Sequence, residues 1–198
     1  CTAQALLANM SGFYAAYHGA QGLHAIARRI RLLRQTLLSV LKWNGFEVDD
    51  NEGFDTVRWK SDSPVEGYNV KYENGYIILS LDELSNFDTV FDIVNTQKDY
   101  TKNRDTIYQA WDSIVGYKWF SVPERTKPWL QQDVFKKYHS ETDMMRYIFE
   151  LASKDFSLVN GMIPLGSCTM KLNAASELMP VSWNEISNMH PFVPEEQT

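Results

Sequence analysis

The stretch Tyr68-Asn69-Val70-Lys71-Tyr72-Glu73-Asn74-Gly75-Tyr76-Ile77-Ile78-Leu79-Ser80-Leu81 decides how the chain is read. Two β-rich runs, Tyr68 to Tyr72 and Tyr76 to Leu81, flank Glu73-Asn74-Gly75. Asn-Gly tolerates the positive φ that both centres of a type I′ turn demand, so the pattern predicts an antiparallel hairpin. Just upstream, Phe54, Thr56, Arg58 and Lys60 alternate with Val57 and Trp59, a period of two that puts Val57 and Trp59 on one face of another strand. Residues 46 to 83 are therefore read as sheet.

Toward the N-terminus the period lengthens. Ala3, Leu6, Leu7, Met10, Phe13, Tyr14 and Tyr17 recur at helical spacing up to Gly19, and a second run passes from Leu23 through Ile26, Ile30, Leu33, Leu37 and Leu41 to Gly45. This predicts a helix pair with glycine stops. Beyond the sheet, Ser85 with Asp88 three residues on is read as the start of a short helix through Phe87, Val90, Phe91 and Val94. The order helix, helix, strands, helix defines an α+β unit whose antiparallel sheet is backed by helices on one face.

Composition bounds the function. With 198 residues, 44% apolar and 13% aromatic, the chain can bury a core, which excludes disorder and fibrous repeats as overall descriptions. Nineteen basic against 25 acidic residues, net −6, argue against a general binder of nucleic acid or anionic membrane. Nothing approaches 18 uninterrupted apolar residues, so no membrane span is expected. Two cysteines, Cys1 and Cys168, make no disulfide framework and favour a reducing compartment, with a single bridge between them as the alternative. No C-x-x-C or H-x-x-x-H spacing calls for a structural zinc, and no metal site is expected. A first residue of Cys rather than Met, with no leader pattern before it, reads as a piece of a longer chain.

The charges are unevenly placed. Residues 1 to 45 hold Arg28, Arg29, Arg31, Arg34 and Lys42 but no Asp or Glu, leaving 14 basic against 25 acidic residues in the remainder. The arginines are expected on the face opposite the apolar stripe, solvated or paired with acids elsewhere in the fold; an acidic neighbouring domain is the functional alternative.

The last third changes character. Trp119 to Pro128 is a proline-punctuated connection, and Ser140 with Asp143 can cap a helix through Met144, Tyr147, Ile148 and Leu151. After Lys154 the apolar residues lose any sustained period, so this tail is expected to lie on another surface. The domain reading is 1 to 120 as a small α+β domain, 121 to 155 as linker and connector helix, and 156 to 198 as a segment leading into a further domain.

Gly166-Ser167-Cys168-Thr169 is the chemically richest loop, offering backbone N–H groups, two hydroxyls and a thiol to a carboxylate or phosphate. Its plain alternative is a packed turn. Cys168 as a nucleophile with His139 or His190 as base lacks the flanking residues of a peptidase. Lys171 invites a Schiff base, though a lone lysine is ordinarily a surface cation. His139 is read as a hydrogen-bonded residue at a helix start, with a pH-sensitive contact as the alternative; His190, held extended by Pro191, projects into a cleft or packs.

The string Met162-Ile-Pro-Leu-Gly-Ser-Cys-Thr-Met-Lys-Leu-Asn173, continuing through Ser176-Glu177, Pro180, Trp183 and Met189-His190-Pro191-Phe192-Val193-Pro194, resembles the glycine cleavage system P-protein family. Two further blocks agree in kind and order: Cys1-Thr-Ala-Gln-Ala-Leu-Leu-Ala-Asn-Met10 with Tyr17-His18-Gly19, and Tyr138-His-Ser-Glu-Thr142. Residues 46 to 130 resemble the family only in the order of strands and helices.

The resemblance implies a pyridoxal 5′-phosphate enzyme of fold type I whose long chain repeats that architecture in tandem. This chain would then carry the small, C-terminal-type domain of the first half, followed by an extended and helical connector into the second, catalytic half. The implied activity is glycine dehydrogenase (decarboxylating), an oxidoreductase passing the aminomethyl group to lipoyl H-protein, in a homo-oligomer, in bacterial cytoplasm or the mitochondrial matrix. The family's cofactor lysine follows a histidine, and no His-Lys pair occurs here, so Lys171 is not given that role. The chain alone is expected to be inactive and not to bind the cofactor. Ser167, Cys168 and Thr169 are the candidates for facing glycine or cofactor, with Lys171, Asn173 and His190 ranked behind them. Cys1 and Cys168 are candidate redox-sensitive thiols or, alternatively, buried reduced cysteines. The reading from a different class is a non-catalytic interaction or structural module.

Overall fold

The computed structural model describes residues 3–49, 53–97, 104–115, 125–156, 160–162, 174–189 and 193–197. The chain divides into two compact units, Cys1–Leu23 with Arg125–Asn188 and His24–Glu124 with Met189–Thr198.

The second unit is built on the hairpin. Four strands, β1 (Val48–Asp49), β2 (Thr56–Lys60), β3 (Lys71–Glu73) and β4 (Tyr76–Ser80), form an antiparallel sheet in the order β1-β2-β4-β3. Glu73 pairs with Tyr76 across Asn74 (φ 54°) and Gly75 (φ 77°), the two positive angles a type I′ turn requires. Val57 opposite Leu79 and Trp59 opposite Ile77 form the core face, while Thr56 opposite Ser80 and Lys60 opposite Tyr76 form the outer one. The α+β expectation holds. Strand β3 starts at Lys71 rather than Tyr68: Gly67 turns the chain with φ 79°, and the Tyr68 hydroxyl donates to Asp92 at 3.3 Å, away from the ladder.

Helix α1 (Ala3–Trp43) is two helical legs, because Gly19 breaks the helical backbone. Its second leg supplies Ile30, Leu33, Leu37 and Leu41 to the core, and Leu32, Leu38 and Val40 widen the buried stripe nearly all round. The leg ends in a Schellman motif: the Phe46 N–H donates to the Leu41 carbonyl (3.1 Å) and the Gly45 N–H to that of Lys42 (3.0 Å), with Gly45 at φ 81°.

Arg28 and Arg29 are exposed as expected, but Arg34 is not. Arg34 is 1% exposed, and its Nε donates to the Thr56 carbonyl at 2.8 Å. Arg31 donates to the Gly53 carbonyl and Arg29 to that of Glu83. A buried guanidinium is tolerable only when its donors find acceptors, and backbone carbonyls beside the strands supply some of them.

Helix α2 (Phe87–Asn95) is capped by Asn86, not Ser85. The Asn86 side chain accepts from the Thr89 N–H (3.0 Å) and the Thr89 hydroxyl accepts from the Asn86 N–H (3.1 Å), while Ser85 is engaged with Asp82. Helix α3 (Arg104–Val115), missed in the sequence, buries Ile107, Ala110 and Ile114, and stacks Tyr108 on Phe87 of α2 at 4.2 Å. Between sheet and helices, the Trp59 indole N–H donates to Gln97 Oε1 at 3.0 Å with both side chains fully buried.

In the first unit, α4 (Val134–Lys137) leads to α5 (Glu141–Ala152), capped by Ser140 as expected. The tail forms short turns of helix, Ala175–Leu178, Met179–Ser182 and Asn184–Ser187, that leave Leu178, Met179, Val181, Trp183 and Ile186 exposed. Among the described residues no helix is long and apolar enough to cross a membrane.

Two outcomes follow. Gln97→Leu leaves the buried indole N–H without an acceptor and should lower unfolding stability by about 1–3 kcal/mol in urea titrations. On the outer face the Tyr76 hydroxyl donates to Glu47 Oε1 at 2.7 Å; this bond, followed by the charge of Lys60, holds the Glu47 carboxyl below its ordinary value. A depressed carboxyl stabilises the fold above the ordinary carboxylate range and stops doing so as pH falls through its lowered value. Tyr76→Phe should therefore raise the Glu47 midpoint in a carboxyl-carbon NMR titration.

Candidate functional site

Two of the three motif blocks, separated by more than a hundred residues, meet within the first unit. Their meeting starts with Gly19, whose backbone (φ 60°, ψ −177°) lies in a region open essentially to glycine alone. A Cβ there would stand 2.6 Å from the Phe135 carbonyl oxygen and 3.0 Å from His139 Cε1. Gly19 is thus fixed by conformation and by close approach together.

A helix break leaves carbonyls of the preceding turn short of partners. The Tyr17 carbonyl finds one in His139, whose Nδ1 lies 2.6 Å away. A carbonyl oxygen only accepts, so His139 Nδ1 carries the hydrogen. A ring nitrogen so engaged has no lone pair for base chemistry; His139 fastens one segment to the other. Ser140 follows at once as the N-cap of α5, accepting from the Asp143 N–H (3.2 Å) and donating to Asp143 Oδ2 (2.7 Å). The hydrogen-bonded reading of His139 is the one the structure bears out.

Aromatic rings extend the junction. Tyr138 stacks on Tyr147 at 4.1 Å, Tyr147 meets Phe13 edge-on at 6.2 Å, and His18 sits between Tyr14 (4.3 Å) and Tyr17 (5.2 Å). Such pairs contribute about 0.5–1.5 kcal/mol each beyond their area, so the rings and the histidine bond act with comparable weight. The helical spacing of Phe13, Tyr14 and Tyr17 was visible in the sequence, but their partners 138, 139 and 147 were not, because nothing local announces a contact over 122 residues.

Cys1, Ser167, Cys168, Thr169, Lys171, Asn173 and His190 lie outside the described residues. The loop's near flanks are described: Met162 is exposed, and Glu177 accepts from the Ala174 N–H at 3.1 Å. Among the described residues, no group of three or more His, Cys, Asp and Glu gathers as a metal cluster, and every lysine is exposed.

The glycine cleavage system P-protein family matches residues 1–102, and the chain belongs to it. Its relatives are named glycine dehydrogenase (decarboxylating). That of Vibrio parahaemolyticus is 42% identical over 212 residues, that of Prochlorococcus marinus 42% over 218, and that of Psychromonas ingrahamii 43% over 215. Each alignment takes in 100% of this chain and 22% of the relative, so the chain spans about a fifth of their length. The alignment also runs through residues 46 to 130, where the motif strings gave only element order.

Gly19→Ala should cost roughly 2–5 kcal/mol, from backbone strain plus the clash with Phe135. His139→Ala should cost about 1 kcal/mol. Thermal unfolding monitored by circular dichroism ranks the two.

Proposed function

We propose that this chain works as part of a P-protein that decarboxylates glycine with pyridoxal 5′-phosphate and hands the aminomethyl group to the lipoyl arm of H-protein. What carries the reading is the alignment of the entire chain with proteins named glycine dehydrogenase (decarboxylating). The cofactor, when bound, supplies the electron sink for loss of the carboxylate.

The described residues do not fit a covalent site for that cofactor. Such a site needs a lysine amine taken out of water so that it is unprotonated and nucleophilic. All described lysines are exposed, and the chain has no His-Lys pair. In the family that this chain resembles the cofactor lysine follows a histidine, so on this reading the Schiff-base lysine belongs to another part of the P-protein and this chain alone is inactive. Its described part contributes position: the Gly19–His139 junction sets where α5 begins, and α5 leads toward the stretch 162 to 173. There Ser167 and Thr169 line the pocket with hydroxyl donors toward glycine or cofactor, with Cys168 beside them. Homo-oligomerisation belongs to the same proposal.

In a P-protein of full length, Ser167→Ala and Thr169→Ala should each lower glycine turnover while leaving the melting temperature within a degree or two. Unchanged turnover in both would remove these residues from the pocket.

A further inference from the structure

The first leg of α1 does not look like a helix that faces water. Residues 1 to 27 contain no Asp, Glu, Lys or Arg, yet residues 4 to 12 are all exposed. Leu6, Leu7 and Met10 are 63%, 62% and 56% exposed, with Met10 one turn along from the two leucines. The contrast lies in the same unit: α5 carries Glu141, Asp143, Arg146 and Glu150 within twelve residues. Surface helices are kept soluble by such charges, and a helix lacking them on every side is ordinarily an interior one.

The rest of its surface suits close packing against protein. Ala5, Ala8 and Gly12 lie among the large apolar residues, and a Cβ built on Gly12 meets nothing within 4 Å, leaving room for a neighbouring backbone. Asn9 supplies polar groups suited to hydrogen bonds with a protein neighbour, and the Ser11 hydroxyl, which donates to the Leu7 carbonyl at 3.0 Å, keeps its capacity to accept, where a lipid tail offers no partner. The occupant follows from the relatives, which align with the whole of this chain yet are more than four times as long.

We propose that residues 3 to 18 form an interior helix of the P-protein, enclosed by parts of the same polypeptide beyond these 198 residues. The proposal rests on the reading that the chain works inside a longer P-protein.

Cysteine substitution with maleimide labelling, read at the substituted peptide by mass spectrometry, tests it. Leu7→Cys and Met10→Cys are placed separately in the 198-residue chain and in a full-length P-protein containing it. The expected result is rapid labelling in the short chain and labelling at least about tenfold slower in the long one. Equal rates in both would overturn the proposal. So would slow labelling in the short chain: if it strengthens with protein concentration the occupant is a second copy, and if not it is the chain's own residues. Faster amide hydrogen exchange over residues 3 to 18 in the unsubstituted short chain than in the long protein is the same test without substitution. Glycine decarboxylation by the unsubstituted long protein keeps the readings apart: an active protein with reactive positions loses only the enclosed helix, whereas an inactive one loses the function.

Discussion

The backbone of Gly19 is the constraint from which the rest follows. Its angles exclude any residue with a Cβ, and the nearest atoms of Phe135 and His139 leave no volume for one. A helix of forty residues without that break would run about 60 Å, longer than a small domain is wide. The break instead divides it into two shorter legs. It also exposes the Tyr17 carbonyl that His139 then takes, so the glycine creates the acceptor and the histidine satisfies it.

The two units draw on different sources of stability. Residues 24 to 124 hold the buried apolar cluster in which Leu33, Trp59, Ile77, Val90 and Ile107 meet. Each such side chain contributes about 1.5–3 kcal/mol on burial, whereas an exposed pair such as Lys60 with Glu47 is screened by solvent and contributes little. In the first unit Ala16 and Met144 are buried, but Leu6, Leu7, Met10, Met145 and Phe149 are exposed. Among the described residues of that unit, aromatic contacts and the His139 bond join segments far apart in sequence.

How much of this was legible depended on the distance over which each signal acts. The hairpin, the core face of β2, the helix break at Gly19 and the Ser140 cap are local, and sequence periodicity and turn chemistry located them. Asn86 was passed over as a cap because Ser85 precedes it with an acid at the right spacing, and Asp82 had already claimed that serine. The burial of Arg34 was not legible because the Thr56 carbonyl that receives it is 22 residues away. Helix α3 was missed because only Ile107, Ala110 and Ile114 mark its buried side among polar neighbours. For the candidate site, the motif strings led to the family, and the structure added the joining of two of them through His139 and Tyr17.

That joining is best tested at the imidazole itself. With the ring neutral, nitrogen-15 NMR of His139 separates a protonated from an unprotonated ring nitrogen. A hydrogen on Nδ1, with Nε2 bare, is the result required by donation to the Tyr17 carbonyl. A hydrogen on Nε2 with Nδ1 bare would mean that the two blocks are not held together by this bond, and the account of the junction would fail.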